Sequence, residues 1–297
     1  MKNIVIFSQN RNFFGAQVVL IPLLMALRIK YPGCYISLFS RNPVSLVLSQ
    51  VPGLLDDIYI EKNRWAVALE YRKRNPDLSL VFRKRSLFIS LMTLIMSKGE
   101  TLGFCTNLNR QIFSRCVSDK RDVYRANNYL SFIGEELKSS YLDAEDKAKE
   151  GLVYLIPGAG APYKEWGVQN YLELADKLAQ DLDRDRIQFI LGKKEEWYIA
   201  AIENKGFSVQ FNLPLDVLID RFKKADLIVA NDCGPSHIAQ IFSHKYVILY
   251  SNEKLDAERV VREWFYPRSE CDFLIGGEGK PLGTLKVEKV YQMTKSL

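Results

Sequence analysis

Histidine is almost missing from this chain. His237 and His244 are the only two in 297 residues, which speaks against a histidine-based metal site and against a Ser-His-Asp triad. The five cysteines, Cys34, Cys105, Cys116, Cys233 and Cys271, are odd in number, widely spaced and lack a CxxC pair. That is how reduced thiols of a cytosolic protein look, and it argues against a disulfide framework or a zinc site. No signal peptide is expected, because Met1-Lys-Asn runs into the apolar stretch from Ile4 with no small-residue cleavage site. Long apolar runs are missing too. The longest covers Leu87 to Met96, half of the roughly 20 residues that a membrane-spanning helix needs. It reads as a buried helix, with a helix lying in a membrane interface as the second reading. No aromatic-basic RNA-binding pattern, zinc knuckle or helix-turn-helix is present, so nucleic acid is not an expected partner. Internal repeats and low-complexity tracts are absent.

What is present has the balance of a folded globular protein, 47% apolar and 26% charged. The length fits two domains of roughly 150 residues each. The charge is lopsided. Residues 1–150 carry 22 Lys and Arg against 14 Asp and Glu, or +8, and the remaining 19 and 21 give −2. A basic half beside a near-neutral one points to an anionic partner for the first half, or to a solvated basic face.

Hydrophobic periodicity predicts alternating strands and helices. Strands are expected at 4–8, 35–39, 57–60, 78–82 and 101–104, with helices at 16–30, 43–50, 86–97 and 122–137. Pro22 would kink the first helix or mark a late first turn. The polar stretch 145–150 is the expected linker, placing the domains at 1–148 and 149–297. The second half repeats the rhythm with strands at 152–156, 188–191, 227–230 and 246–250. Its helices are expected at 169–180, 195–204, 215–222, 237–242 and 286–295. This pattern predicts an α/β fold of two Rossmann-like, doubly wound domains facing each other across a cleft. The terminal helix 286–297 is a candidate to return to the first domain.

Two stretches carry the chemistry: Leu155-Ile-Pro-Gly-Ala-Gly-Ala-Pro-Tyr-Lys164-Glu-Trp166 and Ala230-Asn-Asp-Cys-Gly-Pro-Ser-His237-Ile-Ala239. Each follows a strand and precedes a helix, which places both at the carboxyl edge of a parallel sheet, where such folds bind ligands. Gly158, Ala159 and Gly160 let the backbone approach a ligand closely and present N–H groups to phosphate oxygens. Lys164 brings an ammonium to the same oxygens, stabilising a diphosphate both bound and departing. The loop is neither a Walker A sequence nor GxGxxG. In Asp232-Cys233-Gly234-Pro235-Ser236-His237, the glycine allows a tight turn and the proline suits a first helical turn. The alternative is a capping Asp232 and a packed core His237. Glu195 and Glu196 follow Gly192 past a strand end, where a carboxylate accepts from ribose hydroxyls or favours a helix start through its dipole. In the first half, Arg83-Lys84-Arg85 ends a strand and becomes a candidate acceptor contact, with Arg11, Lys62, Arg64 and Arg110 as possible additions.

With those residues in place, the chain resembles the lipopolysaccharide heptosyltransferases of glycosyltransferase family 9, which have the GT-B fold. Pro157-Gly158, Lys164 and Trp166 resemble that family's phosphate-binding loop. Asp232-Cys-Gly-Pro-Ser-His237 is similar to its Asp-Ser/Thr-Gly-x-x-His helix start. Gly192 followed by Glu196 matches its ribose-contacting acid. Pro22-Leu-Leu-x-Ala-Leu-x-x-x-Tyr-Pro-Gly33 and Val51-Pro-Gly-Leu-Leu-Asp-Asp-Ile58 are similar to its opening segments. The resemblance implies an inverting transfer of a sugar, heptose foremost, from a nucleotide-diphosphate donor such as ADP-heptose to a lipopolysaccharide core or related surface glycan. It implies no metal and no cofactor, with lysine and helix dipoles taking the metal's place. It implies donor contacts at Gly158, Ala159, Gly160, Lys164, Glu196, Asp232, Cys233, Gly234, Pro235 and His237. An anionic glycolipid acceptor would meet Arg11, Arg83, Lys84 and Arg85. The expected location is cytoplasmic, with contact at the inner face of the inner membrane.

One departure matters. The family places an aspartate directly after the loop glycine, and here Gly15 is followed by Ala16, with Pro22 holding the register. Gln17 is no substitute, because an amide takes up no proton near neutral pH. Another carboxylate (Asp56, Asp57 or Glu61), the departing diphosphate, or an already anionic acceptor would have to replace the general base. A donor-binding homologue with little turnover is the alternative, as is a transferase for another nucleotide sugar. Cys233 also stands where the family has Ser or Thr.

Overall fold

Short runs of branched and aromatic residues, flanked by polar turns, form twelve strands in the computed structural model, which describes all residues except 1, 10, 12, 108, 121, 139–140, 142–149, 267 and 269. The chain separates into two units, Met1–Tyr141 and Leu142–Leu297. The boundary expected at 148/149 and most of the 145–150 linker lie outside the described residues.

The first unit holds β1 (Asn3–Phe7), β2 (Tyr35–Ser40), β3 (Asp57–Ile60), β4 (Leu78–Val81), β5 (Glu100–Phe104) and β6 (Arg115–Val117), all parallel, in the order β3-β2-β1-β4-β5-β6. Its helices are α1 (Phe14–Val18), α2 (Ile21–Lys30), α3 (Arg64–Arg74), α4 (Leu87–Met96) and α5 (Arg125–Leu130). The helix predicted at 16–30 is therefore two helices, and Pro22 sits in the first turn of the second. The one predicted at 122–137 shrinks to α5 and a 3-10 turn stopped by Gly134 at φ 69°. Helix α3, which was not expected, is set by its ends. Asn63 caps it by accepting from the Ala66 N–H at 2.9 Å, and Asn75 closes it in the left-handed region. The run 87–96 is not a buried helix. Ile89 and Met92 enter the core with Val5, Phe7, Phe39 and Val81, while Leu87, Leu91, Leu94 and Ile95 face outward.

The expectation of five reduced thiols is corrected at one pair. Cys105 follows β5 and Cys116 lies in the neighbouring β6, so parallel pairing brings their Cα atoms to 5.4 Å and a disulfide joins them. Linear spacing carries no sign of this, because the strand pairing supplies the contact. Cys34, Cys233 and Cys271 are free.

The second unit repeats the plan. Strands β7 (Leu152–Ile156), β8 (Ile187–Leu191), β9 (Ser208–Phe211), β10 (Ala225–Asn231), β11 (Tyr246–Tyr250) and β12 (Cys271–Ile275) run parallel in the order β12-β11-β10-β7-β8-β9. Around them lie α6 (Val168–Leu178), α7 (Ile199–Glu203), α8 (Leu215–Lys224), α9 (Gly234–Phe242), α10 (Ala257–Trp264) and α11 (Val287–Ser296). Val287 and Val290 of α11 join the second unit's own core beside Leu174 and Leu178 of α6, and Tyr291 donates to Asp181 at 2.7 Å.

Candidate functional site

An open parallel sheet binds ligands beyond the carboxyl ends of its strands, where the strand order reverses. In the second unit that point lies between β7 and β10, which pair directly. The two motifs leave from these two strand ends. Asn231, the fully buried last residue of β10, ties them together. Its Oδ1 accepts from the Trp166 backbone N–H (3.3 Å) and the Tyr171 hydroxyl (3.1 Å), and its Nδ2 donates to the Pro157 carbonyl (2.7 Å). Buried Trp166 donates its indole N–H to the Leu285 carbonyl at 2.7 Å. The glycine loop is thus clamped at both ends.

Lys164 closes the pairing of the motifs. Its Nζ donates to Asp232 Oδ2 at 2.5 Å, with the lysine side chain 24% exposed. His237 Nε2 stands 3.9 Å from Asp232 Oδ1. Burial pushes the imidazole down to about 4; Asp232 opposes that shift and Lys164 adds to it. The ring is therefore neutral near pH 7, and its approach to Asp232 is not an ion pair. It packs against Trp264 at 5.2 Å between ring centroids, with Nδ1 3.3 Å from the Gln240 amide nitrogen. Gly234 opens α9 and Pro235 lies in its first turn. The Cys233 N–H donates to Ser236 Oγ at 3.1 Å, and that hydroxyl donates back to the Cys233 carbonyl at 2.7 Å. Burial pushes the Cys233 thiol up to about 12, so it stays protonated.

A cavity of about 220 Å³ adjoins the glycine loop, lined by Ala159, Gly160, Glu165, Glu195, Trp197 and Tyr198 among others. Glu195 accepts from the Gly192 N–H at 3.1 Å, and burial raises its carboxyl above the usual range. Its carboxylate rests against Gly158, where a Cβ would come within 2.7 Å of it. Glu196, the acid expected at the ribose, is exposed and does not line this cavity. The second unit thus offers an ammonium, a clamped glycine loop, a neutral imidazole and a carboxylate at one sheet edge. That combination suits a diphosphate joined to a polyol.

The first unit has its own order reversal, between β1 and β4. There a cavity of about 750 Å³ is lined by Arg11, Arg41, Arg64, Arg83, Lys84 and Arg85, with Asp119 the one carboxylate among its lining residues. Arg83 is not an open contact. It is buried, donating to the Ser8 carbonyl (2.8 Å), the Phe39 carbonyl (3.2 Å) and both oxygens of Glu61 (2.5 and 2.8 Å). Lys84 pairs with Asp119, which also accepts from Arg125 at 3.0 Å. Arg85 is exposed. Lys62 lines a neighbouring cavity of about 300 Å³ with Arg41, Glu61 and Arg64, and Arg110 lines neither. Sequence reading missed Arg41 and Asp119, because each stands alone just past a strand end.

Ala16 is buried in α1. None of the candidate replacement bases stands open. Asp56 accepts from Arg28 and the Ile36 N–H, Asp57 pairs with Arg74, and Glu61 is clamped by Arg83. Each carboxylate is held as an acceptor within the framework of the sheet. Among the described residues, no cluster of three His, Cys, Asp or Glu is placed to hold a metal ion.

The model of glycosyltransferase family 9 (heptosyltransferase) matches residues 109–260, which contain both motifs. Lipooligosaccharide heptosyltransferase 2 of Campylobacter jejuni is 22% identical over 271 residues, 84% of this chain and 82% of that protein. The structure of E. coli ADP-heptose lipopolysaccharide heptosyltransferase II superimposes with a TM-score of 0.71 at 18% identity, covering 100% of this chain and 98% of that one. E. coli heptosyltransferase WaaC with ADP gives 0.74 at 14% identity, covering 99% of both chains. These likenesses show the GT-B type of fold.

Proposed function

This chain belongs to glycosyltransferase family 9, and we propose that it is an inverting transferase moving a sugar, heptose foremost, from a nucleotide-diphosphate donor such as ADP-heptose to an anionic surface glycan. The observation that carries this reading is the Lys164–Asp232 contact at the order reversal of the second sheet, which brings both motifs to one point. A diphosphate would take over Lys164 from Asp232 and accept from the loop amides of 158–160. The neutral imidazole of His237 would approach it without charge. As the acceptor oxygen bonds the anomeric carbon and the bond to the diphosphate breaks, negative charge grows on the leaving oxygen, and Lys164 offsets it. No metal and no cofactor is required in this scheme. Glu195, rather than Glu196, takes the ribose hydroxyls. The basic cavity of the first unit takes a phosphate- or carboxylate-bearing acceptor.

Inversion puts the attacking hydroxyl on the face opposite the leaving diphosphate, out of that group's reach. With Ala16 in place of a base, the proton goes to water. A general base contributes about 10²–10⁴-fold, so Ala16→Asp is expected to raise turnover by up to that factor. The assay is transfer from ADP-heptose to a phosphorylated core acceptor, run beside calorimetric titration of ADP-, UDP- and GDP-sugars. Ala16 also favours a second reading, a donor-binding homologue without turnover. That reading prevails if ADP-sugar binds, the wild type transfers nothing and Ala16→Asp restores transfer. Tighter binding of UDP- or GDP-sugar would remove the ADP assignment.

A further inference from the structure

The Cys105–Cys116 disulfide ties down a loop beside the basic cavity of the first unit. Cys105 is half-buried and Cys116 exposed. Phe113, between them, enters the core with Val5 and Phe7, its ring filling the space that a Cβ on Gly103 would take. Ser114 Oγ accepts from the Thr101 N–H at 3.1 Å. Buried Asn109 accepts from the Thr106 N–H at 2.7 Å and donates to the Lys84 carbonyl at 3.2 Å. Just past Cys116, Asp119 pairs with the Lys84 ammonium. Lys84 is therefore held at its backbone from inside the bridged loop and at its charge from just beyond it. Both Lys84 and Asp119 line the 750 Å³ cavity.

The strand pairing behind this wall is short. β6 is a three-residue strand at the sheet edge, and β5 is its one neighbour. A cross-link between such strands restrains the loop by cutting the freedom of its open form. The bridge is also where a thiol reagent can reach. Exposed disulfides are the labile ones. Cys34 and Cys271, by contrast, are buried, and burial raises all three free thiols above their ordinary range, which leaves them protonated and inert.

We propose that Cys105–Cys116 is a redox site whose reductant is a dithiol, and that its reduction releases the Lys84–Asp119 wall of the basic cavity. A thiolate of the dithiol attacks the exposed Cys116 Sγ. The bond between the two cysteines breaks, and Cys105 leaves as a thiolate that takes up a proton. The second thiol of the reductant then attacks its own partner sulfur in the mixed disulfide and frees Cys116. Two electrons and two protons pass to the protein, and the dithiol ends as a disulfide. Oxidised, the loop holds Lys84 in place; reduced, the Asn109 and Asp119 contacts open. The cavity keeps its shape in one redox state only. This inference concerns the first unit alone and does not rest on the donor reading of the second.

The test is reduction of the full native chain with dithiothreitol, followed by N-ethylmaleimide and mass spectrometry, beside the untreated protein. Without denaturant, maleimide is expected on Cys105 and Cys116 after reduction and on neither before it. The hydrogen-bonded Thr106, Arg110 and Ile112 amides should exchange about ten-fold faster or more in the reduced protein, the scale set by loss of a loop-closing bridge. Brief treatment with an amine-acetylating reagent should modify Lys84 several-fold faster after reduction, while Lys164 reacts alike in both states. Cys105→Ser/Cys116→Ser should match the reduced protein in any redox buffer. A bridge that opens only in urea would overturn the inference. So would equal Lys84 reactivity in the two states of the wild type, a comparison that needs no variant to fold. ADP titration of the same samples reports separately on the donor site.

Discussion

His237 shows what burial does to one side chain. Its folded pKa of about 4 lies below the unfolded value of about 6.5. Between these values the unfolded chain binds a proton that the folded chain refuses. Stability is therefore complete above about pH 6.5 and falls as pH drops toward 4. The full loss is on the order of 3 kcal/mol. Urea unfolding at pH 7.5, 5.5 and 4.5 is expected to show this decline in the wild type and a shallower one in His237→Gln. Equal slopes would mean that the imidazole is not desolvated. At this scale the sequence was partly readable. Lys164, Asp232 and His237 stand in motifs whose spacing marks them. Which of the two adjacent acids faces the glycine loop was not legible: the 3-10 turn Lys193–Tyr198 directs Glu195 inward and leaves Glu196 in solvent.

Among the elements, the ends of β1, β2 and β4 are joined by a single buried ion pair. Arg83 follows β4, takes the carbonyls of Ser8 and Phe39 beside it, and is matched by Glu61 just past β3. Removing one partner of a buried pair leaves a charge without compensation and costs about 3–5 kcal/mol. Arg83→Ala leaves the buried Glu61 with only the half-exposed Arg41, 3.5 Å away, and is expected to lose up to that much in urea unfolding, with the double variant Arg83→Met, Glu61→Leu regaining most of it. If Arg83→Ala keeps full stability and weakens only acceptor binding, the structural role assigned here is wrong. Sequence reading set Arg83 with its neighbours as an acceptor contact, because three adjacent cations look alike until the fold buries one. The same limit applies to α3, whose outward stripe mixes Trp65 and Leu69 with Arg72 and Lys73 and so blurs the apolar pattern. Strands β6, β9 and β12 also escaped notice. They lie at sheet edges, where three to five residues carry little alternation.

On the scale of the whole molecule, one strand order is used twice. Each sheet reverses between the first and fourth strands of its unit, with a cluster of cations at the first reversal and the Lys164–Asp232 pair at the second. The α/β alternation and the lopsided charge were legible because they depend on periodicity and composition. The disulfide and the clamp at Asn231 were not, since both depend on strand neighbours distant in sequence. The proposed function places the donor at the second unit and leaves the first unit's cations to another ligand. Its most direct test is calorimetric titration of ADP into wild type, Lys164→Ala and Arg64→Ala. Loss of a charge-assisted contact of about 1.5–3 kcal/mol predicts that Lys164→Ala binds ADP roughly ten- to a hundred-fold more weakly, while Arg64→Ala binds as wild type does. Undiminished ADP affinity in Lys164→Ala would contradict the assignment of the diphosphate to this sheet edge.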